Sequence, residues 1–167
     1  MEGIPRGRVI PDKTMPNKTE FEQRRGEFFI STDKSKLDID TIHGYLVRSY
    51  WAKNIPREIV ARAIENSFCF GIYSVSKQIG FARVISDFAT YAHLADVFVL
   101  EEFRGRGLSK WLMQCIIEHP ELQGFRRFTL ATKDAHGLYA QFEFKPLESP
   151  DRYMERFDPN VYQKTKR

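Results

Sequence analysis

Residues 96–112, "DVFVLEEFRGRGLSKWL", join an apolar stretch to an arginine–glycine turn and then to an amphipathic segment. The apolar side chains before the turn predict a strand, and Leu108, Leu112, Cys115 and Ile116 recur at the spacing of one helical face. Glycine is a poor helix former, and neighbouring arginines repel each other. Local stability therefore does not explain the turn, and its composition indicates that a ligand completes it.

The turn has the properties of an anion-binding site. A helix N-terminus presents unpaired backbone N–H groups and a partial positive charge. The two glycines let an anion approach the backbone, Arg104, Arg106 and Lys110 add full charges, and Ser109 adds a hydroxyl donor. Neither the P-loop spacing nor the Rossmann spacing is present. A solvated basic turn is the alternative interpretation.

Composition predicts one soluble domain. The chain has 167 residues, 42% of them hydrophobic, which is enough for one sizeable core. No apolar run is long enough to span a membrane, and the N-terminus lacks the apolar segment of a secretory signal, so we expect no membrane association and a cytoplasmic location. The two cysteines lie in apolar segments without metal-ligand spacing, and we expect neither a disulfide nor a metal site. The net charge of +4 favours anionic partners in general.

The order of elements predicts a mixed sheet of the α/β (α+β) class. Residues 1–26 contain prolines, glycines and mixed charges without periodicity, and we expect a mobile or loosely docked arm before a single domain at 27–167. The helix after "LADVFVL" predicts a crossover to a parallel strand. Predicted strands cover 27–32, 67–75, 78–88, 92–100, 125–132, 144–148 and 152–158. Predicted helices cover 38–51, 56–66, 108–119 and 134–142. The first helix is expected to place Tyr50 on the face of Ile39, Ile42 and Leu46, and the last helix is expected to be capped by Asp134.

The turn also resembles a known motif. Arg104-x-x-Gly107-x-Ser109 is similar to the Arg/Gln-x-x-Gly-x-Gly/Ala motif of the GCN5-related N-acetyltransferase (GNAT) family, with Ser109 as the departure. The similarity extends over most of residues 27–157 and implies a largely antiparallel sheet of about six to seven strands flanked by about four helices. It implies that acetyl-CoA binds with its pyrophosphate on the turn and its pantetheine arm along the preceding strand. The implied cofactor-binding residues are Val97, Phe98, Val99, Arg104, Gly105, Arg106, Gly107, Leu108, Ser109 and Lys110.

A second stretch, "ATKDAHGLYAQFEFKP", supports the resemblance. Tyr139, Glu143 and Phe144 are similar to the family's Tyr-x-x-x-Gly-Phe ending, with Glu143 in place of glycine. The family's tyrosine lies beside the thioester sulfur and protonates the leaving thiolate. A phenol with a pKa of about 10 can donate to a thiolate whose conjugate acid has a pKa of about 8.5. The resemblance therefore implies that Tyr139 is the general acid.

The attacking amine must lose a proton, and His93 and Asp96 are the candidate bases. Both lie on the strand that precedes the turn. Strict alternation places them on opposite faces, so only one would face the cleft unless a β-bulge intervenes. The sequence does not choose between them, and His136 is a weaker third candidate.

These observations predict an N-acetyltransferase that moves an acetyl group from acetyl-CoA to a primary amine of a small molecule or peptide. The alternative is a non-catalytic domain that binds CoA, a nucleotide or RNA. An RNA reader presents aromatic residues among exposed basic ones, whereas the aromatics here occupy mostly periodic core positions. We therefore disfavour nucleic acid as a partner and expect a monomer or homodimer.

Overall fold

A computed structural model describes residues 20–75 and 77–163. Within them, six strands form one sheet in chain order, and every neighbouring pair is antiparallel except the last, which is parallel. The mixed α/β class and the parallel crossover predicted from the sequence are confirmed. The strands are β1 (Glu22–Arg25), β2 (Phe28–Ser31), β3 (Phe68–Ser74), β4 (Lys77–Ser86), β5 (Tyr91–Val99) and β6 (Arg127–Leu130).

Four α-helices flank the sheet in the described part of the chain. They are α1 (Ile39–Leu46), α2 (Arg57–Glu65), α3 (Leu108–Ile117) and α4 (His136–Ala140). Buried residues of α1 and α2 pack with Phe81 and Phe98, whereas buried residues of α3 pack with Val84 and Leu94. Helices thus cover both faces of the sheet. None of the helices among residues 20–75 and 77–163 is long and apolar enough to cross a membrane.

The start of the domain lies earlier than the sequence indicates. Strand β1 lies within the segment predicted to be an arm, and Glu22–Arg25 pair antiparallel with Phe28–Ser31. The sheet therefore includes part of that segment. Residues 1–19, which make up the rest of the predicted arm, lie outside the described residues.

The strands predicted at 144–148 and 152–158 do not form. Pro146 and Pro150 interrupt this region, and proline cannot donate a hydrogen bond to a neighbouring strand. Met154 is 98% exposed and Phe157 is 73% exposed, so these two apolar residues of the predicted strand at 152–158 cover no core. The predicted cap of α4 is also wrong, because the Thr132 hydroxyl, rather than Asp134, accepts the amide of Ala135 at 3.0 Å.

Both cysteines are buried in the core, as predicted. Cys69 lies on β3 and Cys115 on α3, and the two are 1% and 3% exposed. Burial raises the pKa of the Cys115 thiol to about 11. Both side chains therefore belong to the core.

Strands β5 and β6 separate partway along their length. Their pairing ends at Leu94 and Leu130, whereas β5 continues to Val99. Next to this point β5 carries one extra residue, because its three-residue step from Ala95 to Phe98 faces a two-residue step on β4. The opening between the strands and the β-bulge beside it shape the candidate site.

Candidate active site

The bulge places both candidate bases in one cleft. Asp96 has φ +54°, the left-handed conformation that non-glycine residues rarely adopt. The extra residue reverses the alternation of β5, and Asp96 therefore lines the same cleft as His93. The expectation of opposite faces for an unbroken strand does not apply to this strand.

Two adjacent clefts open where β5 and β6 separate. The first cleft, about 500 Å³, includes Arg104 and Ser109 in its lining, and the second cleft, about 550 Å³, includes Arg83, His93 and Asp96. Six residues border both clefts, so the two form a continuous groove. These shared residues are Tyr50, Trp51, Val97, Asp134, Ala135 and Tyr139.

The arginine–glycine turn has the open backbone expected of an anion site. Gly105 has φ +75° and Gly107 has φ +73°, and glycine is the residue that adopts this conformation without strain. A Cβ atom on either residue would meet nothing within 4 Å, so the space beside the backbone is open. Gly107 is the N-cap of α3 and provides no side-chain cap for the first amides of the helix.

The charged side chains of the turn point in different directions. Arg104 lines the first cleft, where its guanidinium donates to the Tyr45 hydroxyl at 2.9 Å. Arg106 lies 5.5 Å from the Phe103 ring and 3.8 Å from the Glu27 carboxylate. Five of the predicted cofactor-binding residues line the first cleft with their atoms: Val97, Phe98, Val99, Arg104 and Ser109. The other five, Gly105, Arg106, Gly107, Leu108 and Lys110, do not line it, and the side chain of Leu108 is buried in the core.

Tyr139 lies where the two clefts meet. It is on α4 and is 9% exposed. Burial raises the pKa of its phenol to about 12, so the hydroxyl keeps its proton at neutral pH. Glu143, which stands where the family motif has glycine, has φ +66° and thus keeps the left-handed conformation that glycine favours.

The Asp96 carboxylate is held by two neighbours. One oxygen accepts from Arg83 Nε at 2.5 Å, and the other accepts from Trp51 Nε1 at 3.0 Å. Arg83 also donates to the Ser67 hydroxyl at 3.2 Å. Since both carboxylate oxygens are engaged, Asp96 is well placed to hold the bulge and poorly placed to accept a substrate proton.

His93 is half-buried on the wall of the second cleft. Its Nδ1 lies 2.9 Å from the Thr129 hydroxyl oxygen. Burial, and secondly the positive charge of Arg83, lower the pKa of the imidazole, while Asp96 opposes the shift. His93 is therefore neutral at pH 7 and has a ring nitrogen lone pair available.

The other histidines line neither of the two clefts. His136 is exposed and borders a third cavity, beside Phe144, that shares Tyr139 with the groove. His43 Nε2 lies 3.0 Å from the Ile55 carbonyl, and His119 is buried against aromatic rings of the core. None of the three is brought near His93 and Asp96 in the groove.

Sequence reasoning missed the aromatic pair at the mouth of the groove. Tyr50 was predicted on the buried face of α1, but α1 ends at Leu46 and Tyr50 is 54% exposed. Its hydroxyl accepts from the Lys133 amide at 3.0 Å, which joins the connection between α1 and α2 to the segment after β6. Trp51, beside it, reaches Asp96. The adjacent large aromatic residues in "SYW" were the available signal for this pair, but the helical spacing of Tyr50 assigned it to the buried face of α1.

The sequence model of the acetyltransferase (GNAT) family matches residues 36–144. A Gibberella zeae protein named as an acetyltransferase is 31% identical over 140 residues, which cover 70% of this chain and 78% of that protein. The crystal structure of a GNAT-family protein from Xanthomonas campestris pv. campestris is 55% identical, with a TM-score of 0.79 over 81% of this chain and 96% of that one. A GNAT acetyltransferase from Elizabethkingia anophelis, crystallised with acetyl-CoA bound, shares the fold at 16% identity, with a TM-score of 0.57 over 78% of this chain and 88% of that one.

These matches and the groove define an acyltransferase fold with an open strand pair. The chain belongs to the GNAT acetyltransferase family.

Replacing Asp96 with Ala should destabilise the fold by about 3 kcal/mol, because it leaves the Arg83 guanidinium, 18% exposed, without its carboxylate. The matched control is Glu102→Ala, which breaks the Lys77–Glu102 pair, whose side chains are 61% and 56% exposed. Water screens that pair, so the control should change stability by less than about 0.5 kcal/mol. Urea unfolding measures both, and equal losses in the two variants would contradict a structural role for Asp96.

Proposed function

We propose that this protein transfers the acetyl group of acetyl-CoA to a primary amine of a small molecule or peptide, by direct attack of the amine on the thioester. The observation that carries the proposal is the position of Tyr139. This buried phenol lies where the cleft beside the glycine turn meets the cleft that contains His93. A proton donor and a proton acceptor thus line the same continuous groove.

The groove fits acetyl-CoA. The turn from Arg104 to Lys110 offers backbone amides beside open space, which suits the pyrophosphate. Residues Val97–Val99 continue β5 past the end of its pairing with β6, which suits main-chain bonding to the pantetheine arm. When bound, acetyl-CoA supplies the acetyl thioester.

His93 is the base that we assign to the amine. An alkyl ammonium has a pKa of about 10, so its proton must be removed before attack. The lowered pKa of His93 keeps the imidazole neutral at pH 7. Activity should therefore rise with pH through the His93 pKa, which lies below its ordinary value of 6.5, and should not depend on Asp96 as a proton acceptor.

Tyr139 supplies the proton that the leaving thiolate needs. Its raised pKa keeps the donor protonated across the working pH range. Burial in the groove would also raise the pKa of the CoA thiol, so the pKa of the Tyr139 phenol and that of the thiol stay close enough for proton transfer. The two proton steps thus belong to different residues.

The second cleft favours a modest acceptor. Arg83 is paired with Asp96, and Lys133 and Asp134 also border the cleft, so its lining has no surplus of negative charge to attract a long polycation. We expect a monoamine, or an amino-acid-like amine with its own carboxylate, to be the better acceptor. Release of CoA measured against monoamines, amino acids, polyamines and peptide N-termini tests this. CoA binding without turnover of any primary amine would favour the binding-module alternative.

Replacing Gly107 with Ala should weaken CoA binding at least tenfold, because the added methyl enters the open space beside the α3 amides. The matched control is Gly124→Ala. Gly124 has φ +77° and open space around it, but it lies between Leu122 and β6, outside the turn from Arg104 to Lys110. Both variants should lose about 1–2 kcal/mol of stability from the left-handed backbone, and only Gly107→Ala should lose affinity in calorimetry. Equal affinities for CoA would exclude the turn as its site.

Replacing Tyr139 with Phe keeps the ring and removes the donor. Turnover should fall about 10²- to 10⁴-fold while CoA affinity stays near that of the wild type. Steady-state kinetics and calorimetry measure the two quantities. Phe144→Leu, which alters the ring beside Tyr139 without removing a donor, is the packing control. A Tyr139→Phe enzyme no slower than this control would contradict the role of the general acid.

A further inference from the structure

The Thr129 hydroxyl lies among three polar partners beside the second cleft. Its oxygen is 2.9 Å from His93 Nδ1, 2.7 Å from the Tyr91 hydroxyl and 3.4 Å from the Ala92 carbonyl. The parallel pairing of β5 with β6 creates this arrangement, because Thr129 stands directly opposite His93. Tyr91 lies two residues before His93 and on the same side of β5.

Counting hydrogens favours one orientation of this group. The Ala92 carbonyl can only accept, so the Thr129 hydroxyl is its donor in this contact. The two lone pairs of the Thr129 oxygen then accept from Tyr91 and from His93 Nδ1–H. The reverse orientation, with Thr129 donating to Nδ1, leaves the contact with the carbonyl without a hydrogen.

We propose that Thr129 is a positioning residue that fixes the tautomer of His93, with the proton on Nδ1 and the lone pair of Nε2 directed to substrate. This inference rests on the proposed function, in which His93 is the base. In the proton step an N–H bond of the ammonium breaks and an Nε2–H bond forms. The imidazolium keeps its Nδ1–H bond to Thr129, and the proton later leaves Nε2 for water.

The same hydrogen bond serves both charge states of the imidazole. Neutral His93 and the imidazolium both donate from Nδ1, so no hydroxyl has to rotate when the substrate proton arrives. In the reverse orientation Nε2 carries the proton of the neutral ring and cannot accept another. The identity of the donor in one hydrogen bond thus decides whether His93 can act as the base.

The charged neighbours of His93 do not set its tautomer. Arg83 on β4 and Asp96 on β5 are paired with each other, and Tyr91 bonds to Thr129. The other titratable groups on the walls of the second cleft are Lys133, Asp134, Tyr50, Tyr139 and Tyr162, and Lys133 Nζ lies 5.8 Å from the centre of the Tyr50 ring. Thr129 is therefore the partner that selects the protonated nitrogen.

The tautomer can be measured without substrate. Side-chain ¹⁵N NMR of the ligand-free protein at pH 8, with His93 assigned through His93→Gln, should show the Nδ1–H form. Thr129→Val removes the hydroxyl at nearly constant shape and should move the population toward Nε2–H, whereas Thr129→Ser should keep the wild-type form. Thr90→Val, which removes a hydroxyl that bonds Asp87 in the turn before β5, is the control and should leave the His93 signals unchanged.

Kinetics give the second readout. Thr129→Val should lower kcat about tenfold or more with less than a twofold change in the amine KM, and Thr129→Ser should restore most of the loss. An Nε2–H tautomer in the wild type, or the same tautomer in the wild type and in Thr129→Val, would overturn the inference. The wild-type spectrum decides the question even if the valine variant does not fold. Absence of transfer to every amine would instead refute the proposed function, and the spectrum would still judge the tautomer.

Discussion

The bond between Arg83 and Asp96 holds the geometry on which the groove depends. Asp96 occupies a left-handed conformation that a residue with a Cβ atom adopts only at an energetic cost. Arg83 from β4 and Trp51 from the α1–α2 connection hold the side chain from two directions. The bulge that results reverses the alternation of β5 beside the point where β6 departs. The neighbouring strand and the helical connection therefore both support the opening.

Much of the architecture could be predicted from the sequence because its signals are local. The apolar run before Arg104 and the spacing of Leu108 and Leu112 define a strand and a helix, and a short segment joins α3 to the next strand. A parallel crossover follows from that order alone. The glycine turn and Tyr139 could also be found from short local motifs. The structure brings Tyr139 to the groove and gives Gly107 the backbone conformation that only glycine adopts freely.

The rest of the site depends on contacts between residues that are distant in sequence. The Asp96 bulge requires Arg83 and Trp51, and no local pattern records that pairing. Tyr50 fits a helical stripe, yet α1 ends four residues earlier and the side chain bridges to Lys133. At residues 144–158 aromatic content suggested strands where prolines and exposure prevent them. In each case tertiary contacts or backbone chemistry determined the structure against a local preference in the sequence.

The burial of both cysteines has a practical consequence for assays of this enzyme that use thiol-reactive reagents. A neutral thiol inside a core is a poor nucleophile, since the thiolate is the reactive species. Cys115, whose pKa is raised to about 11, and Cys69, which is 1% exposed, are both withdrawn from reagent in the native fold. A chromogenic disulfide added to report CoA release would therefore react with the thiol of the released CoA and not with the cysteines of the native protein. Conversely, if two thiols per chain react with the reagent in the absence of amine, the core has opened and has exposed both cysteines.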